Sequence, residues 1–322
     1  MGILNGKVAV ITGAGRGIGR GEALLFAGEG AGVVVNDLGG EWDGTGADRA
    51  ASQVVEEISA AGGKAVPHFE DVSEQAGADS LIQLALDTWG HLDVVVNNAG
   101  ILRDRMIFNM SVEEWDAVMK VHLLGHFLVT KAACALWRNR AKAGETVRGA
   151  IINTSSTSGI LGNAGQSNYG AAKAGIAAFT YIVAMEMQRY GVTVNAIAPG
   201  ARTRLTEKTF GELSVGEGQF DQLAPENVAP MVAYLASDQA SHITGQVFYV
   251  QGGLVQLYQG WEPVSEIEKD ERWTPTELAS RIDELFGKRP TVYSPARSPV
   301  RMVAGIDRRT AVPGDEVRDP EG

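Results

Sequence analysis

Short, apolar, β-branched runs separated by longer helical stretches constrain this chain more than any other feature. Val8-Ala9-Val10-Ile11 precedes a helical pattern through Ala23, Leu24, Phe26 and Ala27, and Val33-Val34-Val35 precedes another from about Ala50 to Ala61. Ala65-Val66, Val94-Val95-Val96, Ile151-Ile152, Val192 to Ile197 and Val247 to Val250 continue the series. The runs are continuous rather than alternating, so both faces of each strand are covered, as in a parallel sheet between helices. Regular alternation of strand and helix then predicts a doubly wound α/β fold with right-handed crossovers and seven parallel strands.

Helix limits are also legible. Ser111-Val112-Glu113-Glu114 reads as a capping box opening a long helix toward Ala141. Thr274-Pro275-Thr276-Glu277 reads as a second, with Pro at the first helical position and Gly287 as its stop. Leu278, Ile282 and Leu285 give that last helix one apolar stripe, predicted to pack on the body. Beyond Lys288 the pattern ends, and five of the 11 prolines follow, at 290, 295, 299, 313 and 320. We therefore expect one domain over residues 1–259. A C-terminal extension over 260–322 would carry one helix at about 275–287 and then an arm or a tail without regular structure.

Charge narrows the partners. The chain has 28 basic and 39 acidic residues, a net charge of −11, which suits neither nucleic acid nor an anionic membrane surface. One cysteine, Cys134, excludes an internal disulfide and a thiol-rich metal site, and no metal is expected. No apolar run approaches the ~18 residues of a membrane span, and the first residues lack a signal-peptide core, so cytoplasmic residence is the default expectation.

After the first strand comes Thr12-Gly13-Ala14-Gly15-Arg16-Gly17-Ile18-Gly19. Glycines at a strand-to-helix turn let backbone approach a pyrophosphate, whose charge the helix N-terminus attracts. Asp37 ends the second strand, 18 residues after Gly19, where a carboxylate accepts from an adenosine ribose and repels a 2′-phosphate. Arg16 points toward the phosphorylated cofactor instead; a buried carboxylate facing a phosphate is the larger effect, so NAD is expected. Tyr169-Gly170-Ala171-Ala172-Lys173 puts a phenol and an ammonium on one helical face at i and i+4, with small residues between. A phenol with a reference pKa of ~10 becomes a usable base only with help from such a cation. Ser156 lies 13 residues before Tyr169, just beyond the strand at Ile151-Ile152.

The three-then-one spacing of Gly13, Gly17 and Gly19, with Ser156, Tyr169 and Lys173, resembles the short-chain dehydrogenase/reductase family over residues 5–255. That resemblance implies a Rossmann-type domain. It assigns catalysis to Ser156, Tyr169 and Lys173. It also implies cofactor contacts at Gly13, Arg16, Gly17, Ile18, Gly19, Asp37, Asp71, Val72, Asn98, Ala99, Gly100, Tyr169, Lys173, Pro199, Gly200 and Thr203. Val35 to Gly40, Asn97 to Arg105, Val121-His122-Leu123 and Gly162 through Gln166 to Tyr169 are similar to the dehydrogenase part of the peroxisomal multifunctional enzyme type 2 family and its stand-alone bacterial relatives. This narrower resemblance implies oxidation of (3R)-3-hydroxyacyl-CoA thioesters, fatty or steroid side chain, with NAD, by a homodimer or homotetramer. The broad family carries Asn at the position of His122, in a helix bulge that holds a relay water. Arg202, Arg204 and Lys208 form a basic cluster that could meet CoA phosphates. Other readings are a hydroxysteroid dehydrogenase acting on a ring hydroxyl, a ketoacyl reductase, and a cofactor-binding scaffold without turnover.

Overall fold

The computed structural model describes residues 2–39, 49–202 and 219–293. Seven strands lie parallel: β1 (Val8–Thr12), β2 (Gly32–Asn36), β3 (Lys64–His68), β4 (Val94–Asn97), β5 (Gly149–Thr154), β6 (Val192–Pro199) and β7 (Val247–Gln251). An eighth, β8 (Leu254–Tyr258), pairs antiparallel with β7, giving the order β3-β2-β1-β4-β5-β6-β7-β8. The sheet is therefore eight-stranded, not seven-stranded as the sequence predicted. The two-residue loop Gly252-Gly253 folds the chain back, and Gly252 takes φ 54°, which a residue with a side chain rarely adopts.

Helices cover both faces. On one lie α1 (Gly17–Gly28), α2 (Ala50–Ala60) and α8 (Ala229–Ala236); Phe26, Val54, Ile58 and Leu235 meet the sheet residues Ala9, Ile11, Val33 and Val96 there. On the other lie α3 (Gln75–Trp89), α5 (Gly125–Lys142) and α7 (Ser167–Met187); Leu81, Ile82, Trp137 and Val183 close on Val10, Val34, Val95 and Ile151. Residues from β1 and β2 alternate between the two cores, which is why their sequence runs are apolar without a polar face. The buried Trp137 indole donates to the Leu92 carbonyl at 2.8 Å, satisfying its polar atom.

The helix opened by Ser111 is capped as expected, with Glu114 N donating to Ser111 Oγ at 3.1 Å and Ser111 N to Glu114 Oε2 at 2.9 Å. It is not one regular rod. α4 (Val112–Met119) passes through a π-helical segment, Lys120–Leu124, into α5. The extension after β8 holds two short helices, α9 (Pro275–Arg281) and α10 (Asp283–Phe286), where one was expected. None of their residues is buried, so the apolar stripe of Leu278, Ile282 and Leu285 does not join either core. Among the described residues, no helix is long and apolar enough to cross a membrane.

Strand order reverses between β1 and β4. At such a switch point the carboxyl ends of neighbouring strands open a crevice, and both candidate turns, Gly13 to Gly19 and Asn97 to Gly100, leave the sheet there.

Candidate active site

The nucleotide end is built from backbone. Gly13 takes φ 62° and Gly17 φ 53°. A Cβ on Gly13 would lie 2.7 Å from Ala99 Cα, and one on Gly19 2.4 Å from the Gly13 carbonyl oxygen. Only glycine fits either position. Asn98 ties the two turns together: its Nδ2 donates to the Thr12 and Gly13 carbonyls at 3.1 and 3.0 Å, and the backbone N–H groups of Asn98 and Ala99 donate to Thr12 Oγ1. No side chain caps the N-terminus of α1, preceded by the half-buried Arg16, so its first N–H groups are left for an anion. Ile18 packs into the core beneath them. This narrow glycine cradle at an uncapped helix start fits a dinucleotide pyrophosphate.

Asp37 reaches the same turn. Its Oδ2 accepts from Gly15 N at 2.8 Å and its Oδ1 from Gly39 N at 2.7 Å, so the carboxylate both caps its own turn and braces the glycine loop. Asp71 is held in an Asx turn, its Oδ1 accepting from Ser73 N at 2.8 Å and Ser73 Oγ at 2.7 Å. The adjacent Val72 is buried. Gly200 follows Pro199 at the end of β6 and donates to the Val250 carbonyl at 2.8 Å; a Cβ there would lie 2.6 Å from the Tyr249 hydroxyl. Thr203, Arg204 and Lys208 lie outside the described residues. Arg202 forms an ion pair with Asp221, so its guanidinium charge is already met within the chain.

The chemical end joins β5 to α7. Ser156 caps the one-turn helix after β5, accepting from Ser158 N at 3.1 Å, and its hydroxyl lies near enough to the Tyr169 phenol to lower its pKa. Lys173 is buried on the same face of α7. Its Nζ donates to the Thr154 carbonyl at 2.6 Å and lies 5.5 Å from the Tyr169 ring centroid. Burial acts on both groups: it pushes the Tyr169 phenol up to about 12 and Lys173 down to about 7. The Ser156 hydroxyl opposes the first shift, and the Asp104 carboxylate adds to it. In the protein alone, desolvation thus outweighs the help the Ser156 hydroxyl gives the phenol.

His122 sits within the π segment and is buried, with its ring edge-on to Tyr169 at 5.1 Å. Its Nε2 lies 2.8 Å from the Ile101 carbonyl and accepts from the Ile101 N–H at 3.1 Å in the other tautomer, so either form finds a partner there, and Nδ1 is left buried with no partner among the described residues. Gly100 makes room for it, since a Cβ there would be 2.3 Å from His122 Cε1. Burial keeps the ring uncharged by lowering its pKa well below the usual value.

Sequence reasoning left two residues unassigned. Gln166 precedes Tyr169 by three, one helical turn back on the same face. Its Nε2 donates to Asp104 Oδ2 at 2.7 Å, and its Oε1 accepts from Ser158 Oγ at 2.7 Å and Asn163 Nδ2 at 3.0 Å. The i−3 spacing was the available signal for Gln166. Asp104 lies within the Asn97 to Arg105 stretch that carries the narrower resemblance, but no local pattern predicts its pairing with Gln166, which only the tertiary fold makes.

Residues 13–255 match the sequence profile of a family described as Enoyl-(Acyl carrier protein) reductase. The hydroxyacyl-CoA dehydrogenase ChsB1 of Mycobacterium tuberculosis is 49% identical, over 89% of this chain and 90% of its own length. The peroxisomal multifunctional enzyme type 2 of Mus musculus is 45% identical over 80% of this chain, a match that spans 32% of that longer protein. The crystal structure of a short chain dehydrogenase from Mycobacterium avium superposes with a TM-score of 0.81 at 52% identity, covering 90% of this chain and 97% of that one. With a glycine cradle at the switch point and a serine, tyrosine and lysine meeting beside it, these matches make the chain an oxidoreductase of the short-chain dehydrogenase/reductase family.

Proposed function

We propose that this protein is an NAD-dependent dehydrogenase that oxidises the 3-hydroxyl of (3R)-3-hydroxyacyl-CoA thioesters to the 3-keto form. The observation that carries the reading is the placing of Lys173 Nζ 5.5 Å from the Tyr169 ring centroid, with the Ser156 hydroxyl near enough to act on the phenol. The substrate class is supported by relatives named as hydroxyacyl-CoA dehydrogenase and as multifunctional enzyme type 2. NAD is supported by Asp37, whose carboxylate stands at the end of β2 against the glycine turn, where a 2′-phosphate would be repelled.

Gly13, Gly17 and Gly19 would lie along the dinucleotide and Asp37 would take its ribose hydroxyls. When bound, an oxidised nicotinamide supplies the hydride acceptor. The protein's own groups manage the proton. Ser156 donates to the hydroxyl oxygen of the substrate and holds it against the Tyr169 phenol. Tyr169, once ionised, takes the hydroxyl proton as hydride leaves the carbon. Lys173, anchored on the Thr154 carbonyl, stabilises the phenolate in its charged form.

A reductive reading has one specific support: a 3-oxoacyl-[acyl-carrier-protein] reductase of Synechocystis is 44% identical over 79% of this chain. The same residues serve that direction, with Tyr169 returning the proton. A panel of 3-hydroxyacyl-CoA thioesters, acyl-carrier-protein thioesters and steroid alcohols, each with NAD and NADP, tests the reading through the absorbance of reduced nicotinamide. The expected outcome is turnover of CoA thioesters with NAD, falling at least ~100-fold in Tyr169→Phe while NAD binding stays near normal. Equal rates on a steroid ring alcohol, or a Phe variant keeping more than a tenth of the activity, would overturn it.

A further inference from the structure

Asp104 stands out as a charge that the chemistry above does not use. It belongs to the segment between β4 and α4, and two bonds fix that segment against the start of α7 while a third ties α4 to the same place. Arg105 N donates to the Gly165 carbonyl at 2.8 Å, and Asn168 Nδ2 donates to the Arg103 and Glu114 carbonyls at 3.0 and 3.2 Å. The Gln166 amide has a fixed orientation, because Ser158 Oγ and Asn163 Nδ2 both donate to its oxygen, so its nitrogen must face Asp104. One Asp104 oxygen is therefore anchored at 2.7 Å. The side chain remains solvent-accessible, one hydrogen bond from Gln166, which lies a helical turn before Tyr169, and its field reaches the phenol.

The charges around this pair leave Asp104 its influence. Toward Tyr169, α7 contributes Lys173, the π segment contributes the uncharged His122, and Ser156 contributes a hydroxyl. Of the two guanidiniums flanking Asp104, Arg105 is paired with Glu114, its Nε donating to Glu114 Oε1 at 2.9 Å, and Arg103 adds to the field at Glu114.

We propose that Asp104, oriented by Gln166, selects substrates by charge: its carboxylate disfavours a second negative group beside Tyr169, so neutral 3-hydroxy thioesters are accepted and free 3-hydroxy acids rejected. This rests on the proposed function and deepens it. The carbinol oxygen must lie within hydrogen-bond reach of Tyr169 and Ser156 for the proton to move. The C1 group of a 3-hydroxy acid is two bonds from the carbinol carbon, so it sits in the same corner. A thioester carries no charge at C1 and a free acid carries a full one. Substrate entry displaces water from the cleft, which strengthens repulsion that solvent screens in the open site.

Asp104→Asn tests this with little disturbance, because the asparagine carbonyl still accepts from Gln166. The first measurement is kcat/KM for a (3R)-3-hydroxyacyl thioester and for the corresponding free acid. The second needs no substrate: the phenolate absorbance of Tyr169 in the nicotinamide dinucleotide complex, titrated with pH and read as the difference from Tyr169→Phe in the same background. We expect the thioester-to-acid ratio to fall about 10–100-fold in Asp104→Asn and the phenolate to appear at lower pH. Equal losses on both substrates with an unmoved titration would make Asp104 a structural brace and overturn the proposal. A shifted titration with an unchanged ratio would overturn it as well, since the charge would reach Tyr169 but select nothing. If the unaltered enzyme turned over neither substrate, the function proposed above would fall. The titration would then still decide whether the Asp104 charge reaches Tyr169, and an unmoved one would overturn this proposal too.

Discussion

Glu22 points inward from α1 and is fully buried, with both carboxyl oxygens lacking a partner among the described residues. Burial pushes its pKa up to about 8, so the folded protein holds it as a neutral acid at pH 7. The unfolded chain releases that proton above about 4.5, so folded binds more protons than unfolded between those values, and stability falls as pH rises through them. The slope is at most about 1.4 kcal/mol per pH unit for one group. Glu22→Gln keeps the shape and removes the titration. Its stability relative to the unaltered protein should therefore improve steadily from pH 5 to pH 8 in denaturant melts, and parallel curves for the two proteins would show that Glu22 is not the source. Asp37 allows a second prediction at this scale. Asp37→Ala removes both the repulsion of a 2′-phosphate and the acceptor for Gly15 N, so NAD and NADP should both bind less well, NAD by more. We expect the ratio of kcat/KM for the two cofactors to narrow about tenfold or more. A preference for NADP in the unaltered protein would mean that Arg16 governs instead.

At the scale of elements, the long apolar runs and the caps were readable because each has a local cause. Val33-Val34-Val35 is buried on both faces, Ser111 and Glu114 form their reciprocal cap, and Thr274 and Glu277 form another. What escaped has non-local causes. Leu254–Tyr258 forms an edge strand whose half-buried and exposed residues alternate, and its pairing depends on a partner already in place. The extension was read as one helix because Leu278, Ile282 and Leu285 keep the period. The split after Arg281 leaves neither piece buried against the body. The site followed the same division: Ser156, Tyr169 and Lys173 are local motifs, whereas the pairing of Asp104 with Gln166 spans 62 residues. The π segment shows how an element can serve the site. Widening the helix at Lys120–Leu124 carries His122 toward Tyr169, and the ring occupies the space a side chain at residue 100 would need. Gly100→Ala should therefore destabilise by about 1–3 kcal/mol, the usual cost of overpacking. Combining it with His122→Ala should recover part of that loss, since the cavity accepts the methyl group. Additive losses in the denaturation midpoints would separate Gly100 from His122.

Across the whole molecule, α5 and α7 lie side by side on one face of the sheet, and each turns apolar groups outward. Leu124 and Phe127 are 42% and 41% exposed and Ile182 and Met185 50% and 72%, while Phe127 also meets Phe179 at 6.4 Å. Neighbouring exposed apolar groups on two adjacent helices are costly to leave in water. An isologous contact between two copies of this face would bury all of them twice over. The expected assembly is accordingly a homodimer through α5 and α7. The exposed Val255 and Leu257 of β8 offer a second face that would take a dimer to a tetramer. Phe127→Glu with Met185→Glu should separate the copies across α5 and α7 in sedimentation velocity while far-ultraviolet dichroism stays unchanged, because neither side chain belongs to a core. Leu257→Glu should leave that contact intact and reduce a tetramer only to dimers. A monomeric unaltered protein, or a helix-face variant that sediments like the parent, would remove the α5–α7 contact from the account. Because Tyr169 and Lys173 are carried on α7 itself, its outward face and the face that bears these two side chains belong to one rigid element. A separated protomer should consequently lose activity on heating at a lower temperature than the assembled protein, even where its initial rate is unchanged.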